Sequence, residues 1–243
     1  MCYNVAYMER RAKMLAERYR DILPAGWKPQ NIREELPLYY FISGFSHPDL
    51  PIVKHDGIFL YQWGLIPFWV KDPIGAQDIQ SKTLNAVGET VFEKPSFRSS
   101  INDKRCLLAV NGFYEWREFN KEKYPYFIHL KSNELFSLGC IYSSWVDRGT
   151  GEVKNTFSIL TTPANPMMEK IHNRKKRMPL IIGAKDEKRW IEPHLNAEEV
   201  LKLIKPYADS DMTAYTVSQF ANSAKNERNI PEIISRHDYI KLD

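Results

Sequence analysis

Four places in this 243-residue chain carry side chains suited to covalent or proton-transfer chemistry. The first is Cys2, directly behind the initiator methionine. A thiol is a strong nucleophile, and loss of one residue would set a free α-amine beside it. The second is Asn85 in "TLNAVGET", residues 83–90, an amide that either makes a turn or enters a pocket. The third is Glu115 in "NGFYEW", residues 111–116, a carboxylate between Tyr114 and Trp116. Strand alternation turns it away from both aromatics, toward solvent or into a site. The fourth is His172 in "KIHNRKKRMP", residues 170–179, a proton shuttle beside Arg174, Lys175, Lys176 and Arg177. Four cations in a short loop suit phosphate contacts as well as a solvated turn. Each of the four also has a plainer structural role, and Cys2 could simply be a small residue starting a buried strand.

The elements that position these residues read mostly as strands. Residues 8–22 have Met8, Ala12, Leu15, Tyr19 and Ile22 near helical spacing, which predicts an amphipathic helix. Short β-like runs follow at 38–43 and 58–66. Residues 70–104 are looser and suit short helices. Aromatic and β-branched runs then predict strands at 105–118, 124–131, 134–145 and 156–162. Segment 165–172 predicts a short helix, 179–183 a strand and 197–204 a helix. Strands dominate the centre without βαβ alternation. The expected fold is α+β, a mostly antiparallel, barrel-like β core flanked by helices. Residues 1–243 are expected to form one domain, with 218–243 as a tail packed on it or extending from it.

Bulk properties narrow the setting. A hydrophobic content of 43% with 26% charged residues is ordinary for a globular chain with a substantial core. The three cysteines, Cys2, Cys106 and Cys140, have neither CxxC nor Cys/His zinc spacing, so neither a disulfide framework nor a structural metal is expected. Reduced cysteines, with no signal-peptide pattern, predict a cytoplasmic protein. No stretch reaches the roughly 18 apolar residues that cross a membrane. A net charge of +4 permits nucleic-acid binding without demanding it. The aromatic segment "YQWGLIPFW", residues 61–69, could stack on unpaired bases or fill the core.

Taken in order, "MC", "WGLIPFW", "LNA..ET", "RCLLAVNGFYEW" and "IHN…RMP" resemble the SRAP family, the SOS response-associated peptidase domain proteins. The match runs from Cys2 to about Gly183. The resemblance implies a compact α+β domain with a barrel-like core and a positive groove for single-stranded DNA. It implies capture of abasic sites: methionine is removed, and the exposed cysteine closes a thiazolidine on the opened deoxyribose. It also implies an autoproteolytic activity at the same cysteine. On this sequence the implied catalytic residues are Cys2, Asn85, Glu115 and His172. The implied DNA-binding set is Trp63, Trp69, Arg105, Arg174, Lys175, Lys176 and Arg177. No metal or organic cofactor is expected, and the expected state is a monomer, nucleoid-associated when bound to DNA. The chain departs from the family pattern at Asn4 and Val87, where arginine is common, and in the longer "HNRKKRMP".

The residues suit that chemistry on their own terms. An abasic site is an aldehyde in equilibrium with a closed sugar, and an amine condenses with an aldehyde. A thiol on the adjacent carbon then closes a five-membered ring, favoured by proximity. An α-amine with a pKa of ~7.7–8.0 is partly neutral at neutral pH. Glu115 and His172 can move the protons, and Asn85 can hold the amine or the ring oxygen by hydrogen bonds. Two other readings use the same residues: a cysteine peptidase with Cys2 as nucleophile and His172 as base, and a non-catalytic reader of single-stranded or modified DNA.

Overall fold

The apolar run 105–118 folds as two strands, and the break between them organises the molecule. In the computed structural model, which describes residues 2–28 and 34–242, the elements follow in chain order. They are β1 (Asn4–Tyr7), α1 (Ala12–Arg18), β2 (Tyr39–Ser43), β3 (Asp49–Lys54), β4 (Gly57–Trp63), α2 (Pro73–Lys82) and β5 (Asn85–Val87). Then come α3 (Arg98–Asp103), β6 (Arg105–Val110), β7 (Gly112–Phe119), β8 (Glu122–Leu130), β9 (Phe136–Val146) and β10 (Val153–Pro163). The chain continues with α4 (Pro166–Ile171), β11 (Arg177–Pro179), β12 (Ile181–Ile182), α5 (Ala184–Ile191), α6 (Ala197–Leu203) and β13 (Met212–Thr216).

Strands β10, β4, β3, β6 and β9 pair in a closed ring, because β9 also pairs with β10. Closure leaves no free edge in that barrel. The ladder between β10 and β4 is parallel and the other four are antiparallel. The expected α+β architecture with a mostly antiparallel, barrel-like core is therefore the observed one. Strands β13, β8, β7, β1 and β2 form a second, antiparallel sheet. The chain steps from the barrel to this sheet at Asn111.

Alternation along the strands sorts the core. Cys106, Leu108 and Val110 face a cluster that includes Cys2, Val5 and Phe113. Leu107 and Ala109 point the other way, into a cluster with Leu15 and Tyr19 of the α1 region and with Trp190 and Val200 of α5 and α6. The outer face of the second sheet, with Ala6, Tyr114 and Phe127, is covered by Val217, Ala221 and Ile233. Ala221, Ile230, Ile233 and Ile234, beyond residue 217, are thus packed on that sheet.

One sequence expectation changes and two elements are added to those expected. The helix expected over 8–22 is confined to Ala12–Arg18. The Met8 amide is held by Asn111 Oδ1 at 2.6 Å, and Arg11 keeps an extended backbone that bridges to Glu35. Strand β3 was hidden by Pro51, which precedes the two residues, Ile52 and Val53, that pair with β6. Helix α5 was also unread; its eight residues bury only Glu187, Trp190 and Ile191.

Gly112 is the pivot between barrel and sheet, three residues before Glu115. A Cβ there would lie 2.3 Å from the Phe127 ring and 2.8 Å from the Ile128 carbonyl. Neither neighbour can retreat, since Phe127 is packed in a core and Ile128 is in a strand. Gly112→Ala is expected to lower stability by roughly 1–3 kcal/mol, the usual cost of overpacking. A denaturant midpoint equal to the parent's would contradict the close approach.

Candidate active site

Strand β1 lies in the interior of its sheet, between β7 and β2. Its antiparallel register with β7 pairs Asn4 with Tyr114 and Val5 with Phe113. Continued outward, that register sets Tyr3 beside Glu115 and Cys2 beside Trp116. Cys2 is fully buried, and its thiol is turned to the Asn4 carbonyl at 3.9 Å. Burial, and next the nearby Glu115 carboxylate, push the thiol pKa up.

Asn85 reaches Cys2 from the barrel side. Its short strand β5 runs parallel to β10, with Asn85 opposite Ile159. The side-chain Nδ2 donates to the Cys2 carbonyl at 2.8 Å. Its Oδ1 is buried and accepts no hydrogen bond among the described residues. The turn reading of Asn85 is therefore replaced by a strand position whose amide grips the start of the chain.

Glu115 shows the alternation expected of it. Tyr114 packs behind the sheet against Phe41 and Phe127. Trp116 also turns from the carboxylate and donates to Asn222 at 2.7 Å. Glu115 itself is only 4% exposed. Burial pushes its carboxyl up to about 7, against the opposing pull of the Trp116 backbone and the Lys175 charge. The group is an acid that keeps its proton to near neutrality.

His172 is delivered by α4. Asn165 caps that helix by accepting from the Met168 amide at 2.8 Å, and Pro166 starts it. His172 follows the last helical residue. Its Nδ1 lies 2.8 Å from the Arg177 carbonyl, and its Nε2 lies 3.8 Å from Glu115 Oε2. Burial is the main cause that pushes its pKa down to about 4. A neutral imidazole must then donate Nδ1–H to the carbonyl, which leaves the Nε2 lone pair facing Glu115. At neutral pH this is a carboxyl beside a neutral ring, and the 3.8 Å contact is not an ion pair.

The turn after His172 is closed by the Lys176 amide on the His172 carbonyl at 2.9 Å, with Lys176 at φ 49°. Asn173 clamps it to β7, accepting from the Glu118 amide at 3.1 Å and donating to the Glu118 carbonyl at 2.8 Å. Arg174, Lys175 and Lys176 are exposed on this turn. Arg174 approaches Glu118 at 3.4 Å. A cavity of about 340 Å³ opens here, lined by Glu115, His172, Lys123, Arg174 and Lys175 among others. A larger groove of about 730 Å³ lies on the Asn85 side, with Trp69, Val87, Lys71, Lys82 and Lys94 on its walls. Those lysines escaped the sequence reading because they come from separate elements that only the fold brings together.

Two expected DNA contacts are corrected. Trp63 is fully buried, stacks on Phe157 and donates to the Leu84 carbonyl at 2.8 Å, so it has no face for a base. Arg105 is also buried; its guanidinium serves the carbonyls of Ile101, Asn102, Trp190 and Glu192 at the ends of α3 and α5. Within the aromatic segment 61–69, Phe68 and Trp69 are the exposed rings. Arg177 is half-buried and paired with Glu89. Asn4 is buried in β1. Among the described residues no cluster of His, Cys, Asp or Glu could hold a metal, and no helix is long and apolar enough to cross a membrane.

The model of the family described as SOS response associated peptidase (SRAP) matches residues 1–224. The chain belongs to the SRAP family. It is 42% identical over 178 residues to the abasic site processing protein YoqW of Bacillus subtilis, covering 72% of this chain and 75% of that one. It is 29% identical over 194 residues to the abasic site processing protein HMCES of Xenopus tropicalis, covering 72% of this chain and 56% of that one. A crystal structure of a Bacteroides thetaiotaomicron protein superposes with a TM-score of 0.85 at 35% identity, covering 97% of this chain and all of that one (100%). The geometry of this SRAP chain brings Cys2, Asn85, Glu115 and His172 into one contiguous array.

A raised Glu115 pKa has a stability signature. The folded carboxyl holds its proton more tightly than the unfolded one, whose value is about 4.5. Stability is therefore lost as pH rises through the interval from about 4.5 to about 7, where the folded state binds more protons. Glu115→Gln removes that loss. The variant is expected to gain stability relative to the parent between pH 4 and pH 8 in urea unfolding. A pH-independent difference would show that the carboxyl is not held protonated.

Proposed function

We propose that this SRAP protein captures abasic sites in single-stranded DNA as a covalent adduct on Cys2. The observation that carries the reading is the convergence at Cys2, just ahead of β1, of the Asn85 amide on its carbonyl and of the buried Glu115–His172 pair. Removal of Met1 converts the Cys2 backbone nitrogen into an amine. That amine adds to the C1′ aldehyde of the opened sugar, and the carbinolamine loses water to give an imine. The Cys2 sulfur then adds to the imine carbon while the thiol proton passes to nitrogen. One aldehyde, one amine and one thiol give one thiazolidine and one water, with no change in oxidation state.

Each neighbour has a part in these steps. Asn85 Nδ2 holds the Cys2 carbonyl at 2.8 Å, and its Oδ1 suits an amine N–H. Glu115 supplies the proton that the departing water needs and recovers one from the nitrogen as the imine forms. Neutral His172 takes or returns a proton through Nε2. A thiol held neutral by burial favours attack by the amine first and by sulfur second. The exposed Arg174, Lys175 and Lys176 meet phosphates, and the exposed Phe68 and Trp69 suit unpaired bases.

Intact mass and denaturing gels with abasic single-stranded DNA separate the readings. The processed parent should give a heat-stable adduct. Cys2→Ala keeps the amine and should stop at an imine, trapped only by borohydride. A form shown by mass to retain Met1 should give no stable adduct; robust crosslinking by it would end the mechanism. Peptide cleavage without a DNA shift would indicate the peptidase, and reversible binding alone the reader.

Rate and binding should separate as well. The amine must lose its proton and Glu115 must keep one, so crosslinking should follow a bell with its maximum between about pH 7 and 8. Glu115→Gln should slow it by roughly 10²–10⁴-fold and remove the alkaline limb while DNA affinity stays near the parent's. Replacing Lys175 and Lys176 together with Ala should flatten the dependence of log affinity on log salt by up to about 1.4, two phosphate contacts on a single strand. An unchanged slope would make that turn a solvated loop.

A further inference from the structure

A relay of contacts outside the acid–base pair ends on His172. Glu89 and Arg177 form a two-pronged carboxylate–guanidinium pair, Nη1 to Oε1 and Nη2 to Oε2, the second at 2.8 Å. The same Nη2 donates to the Thr161 carbonyl at 2.7 Å and lies 3.1 Å from the Thr161 hydroxyl. The guanidinium is thus fastened across β10, which also pairs with the Arg177 backbone through Pro163. Arg177 is the residue whose carbonyl receives His172 Nδ1 at 2.8 Å. Glu89 sits in the short helical turn Gly88–Thr90, directly after β5 and its Asn85. One carboxylate therefore ties the strand that holds Cys2 to the strand that holds His172.

We propose that Glu89 is a positioning residue for the SRAP reaction: through Arg177 it fixes the ring orientation and the Nδ1–H tautomer of His172. A planar guanidinium held at both prongs by a carboxylate and by Thr161 cannot roll, so the backbone carbonyl behind it stays aimed at the imidazole. With the carbonyl fixed, Nδ1 must donate and Nε2 must present its lone pair to Glu115. Arg177 is then committed to this clamp, which explains why it is drawn back from the exposed cations Arg174, Lys175 and Lys176.

The rate consequence rests on the proposed abasic-site capture, whereas the tautomer does not. The experiment is histidine-selective ¹⁵N NMR on the full chain, paired with crosslinking to abasic single-stranded DNA. The parent should show His172 with a protonated Nδ1 and an unprotonated Nε2. Glu89→Gln leaves the size but removes the charge; its His172 signals should move toward a tautomer mixture. Crosslinking should slow roughly tenfold, the scale of a small misplacement, with DNA affinity within about twofold. Glu89→Asp keeps the carboxylate and should restore much of the parent pattern. A Glu89→Gln protein with the parent's tautomer and rate would overturn the proposal. So would a variant whose rate, affinity and melting temperature all fall together with no rescue by Asp, since that marks a general structural role. If the tautomer shifts while even the parent fails to crosslink, the positioning stands and the capture reading falls.

Discussion

Pairing of β1 between β7 and β2 is the constraint on which the site depends. A chain terminus ordinarily frays, because few contacts hold it. Here Asn4–Tyr7 already form an interior strand, hydrogen-bonded on both edges. Its residues Val5, Ala6 and Tyr7 feed three different cores. The Cys2 carbonyl is fastened by Asn85 from the barrel. The Cys2 carbonyl is therefore fixed two residues ahead of a strand that is itself held on both sides. The proposed reaction at the α-amine would need that anchoring, because a backbone nitrogen has no rotamers with which to correct its aim.

The sequence exposed the candidate groups better than the frame around them. Glu115 between two aromatics was legible because alternation has a period of two and the run is strongly β-forming. Cys2, Asn85 and His172 were legible as residue types at informative places. Their convergence was not, since it rests on pairings between segments more than 50 residues apart. Trp63 and Trp69 look alike in sequence, yet one stacks inside the barrel and the other stands 43% exposed. Arg105 misled for a related reason. A cation beginning a strand suggests a surface, but four carbonyls at helix ends can satisfy it in the core. Pro51 concealed β3, and the sheet change falls at Asn111–Gly112, inside a segment whose strand-forming residues on both sides read as one run.

The electrostatic plan is a neutral centre with a cationic margin. Burial disfavours charge on both partners, raising the carboxyl to about 7 and lowering the imidazole to about 4, so the ring is neutral near pH 7 and the carboxyl still holds much of its proton. Glu89 shows the opposite: its carboxyl is held below the usual range by the hydrogen bonds from Arg177. Two glutamates thus divide the work between them. One keeps a proton to trade, and the other keeps a charge to hold a cation still.

Lys175 joins the margin to the centre. Its charge lowers both Glu115 and His172 in the free protein, opposing burial in the first and adding to it in the second. In the proposed complex a DNA phosphate drawn to Lys175 would offset that charge. The pull on Glu115 would weaken, burial would dominate further, and the carboxyl would hold its proton to higher pH. The amine needs a higher pH than the acid does, so this shift would widen the interval in which both are in the working state. Binding the strand and arming the acid would then be one electrostatic event, and the cations of the turn would act on the rate as well as on the affinity.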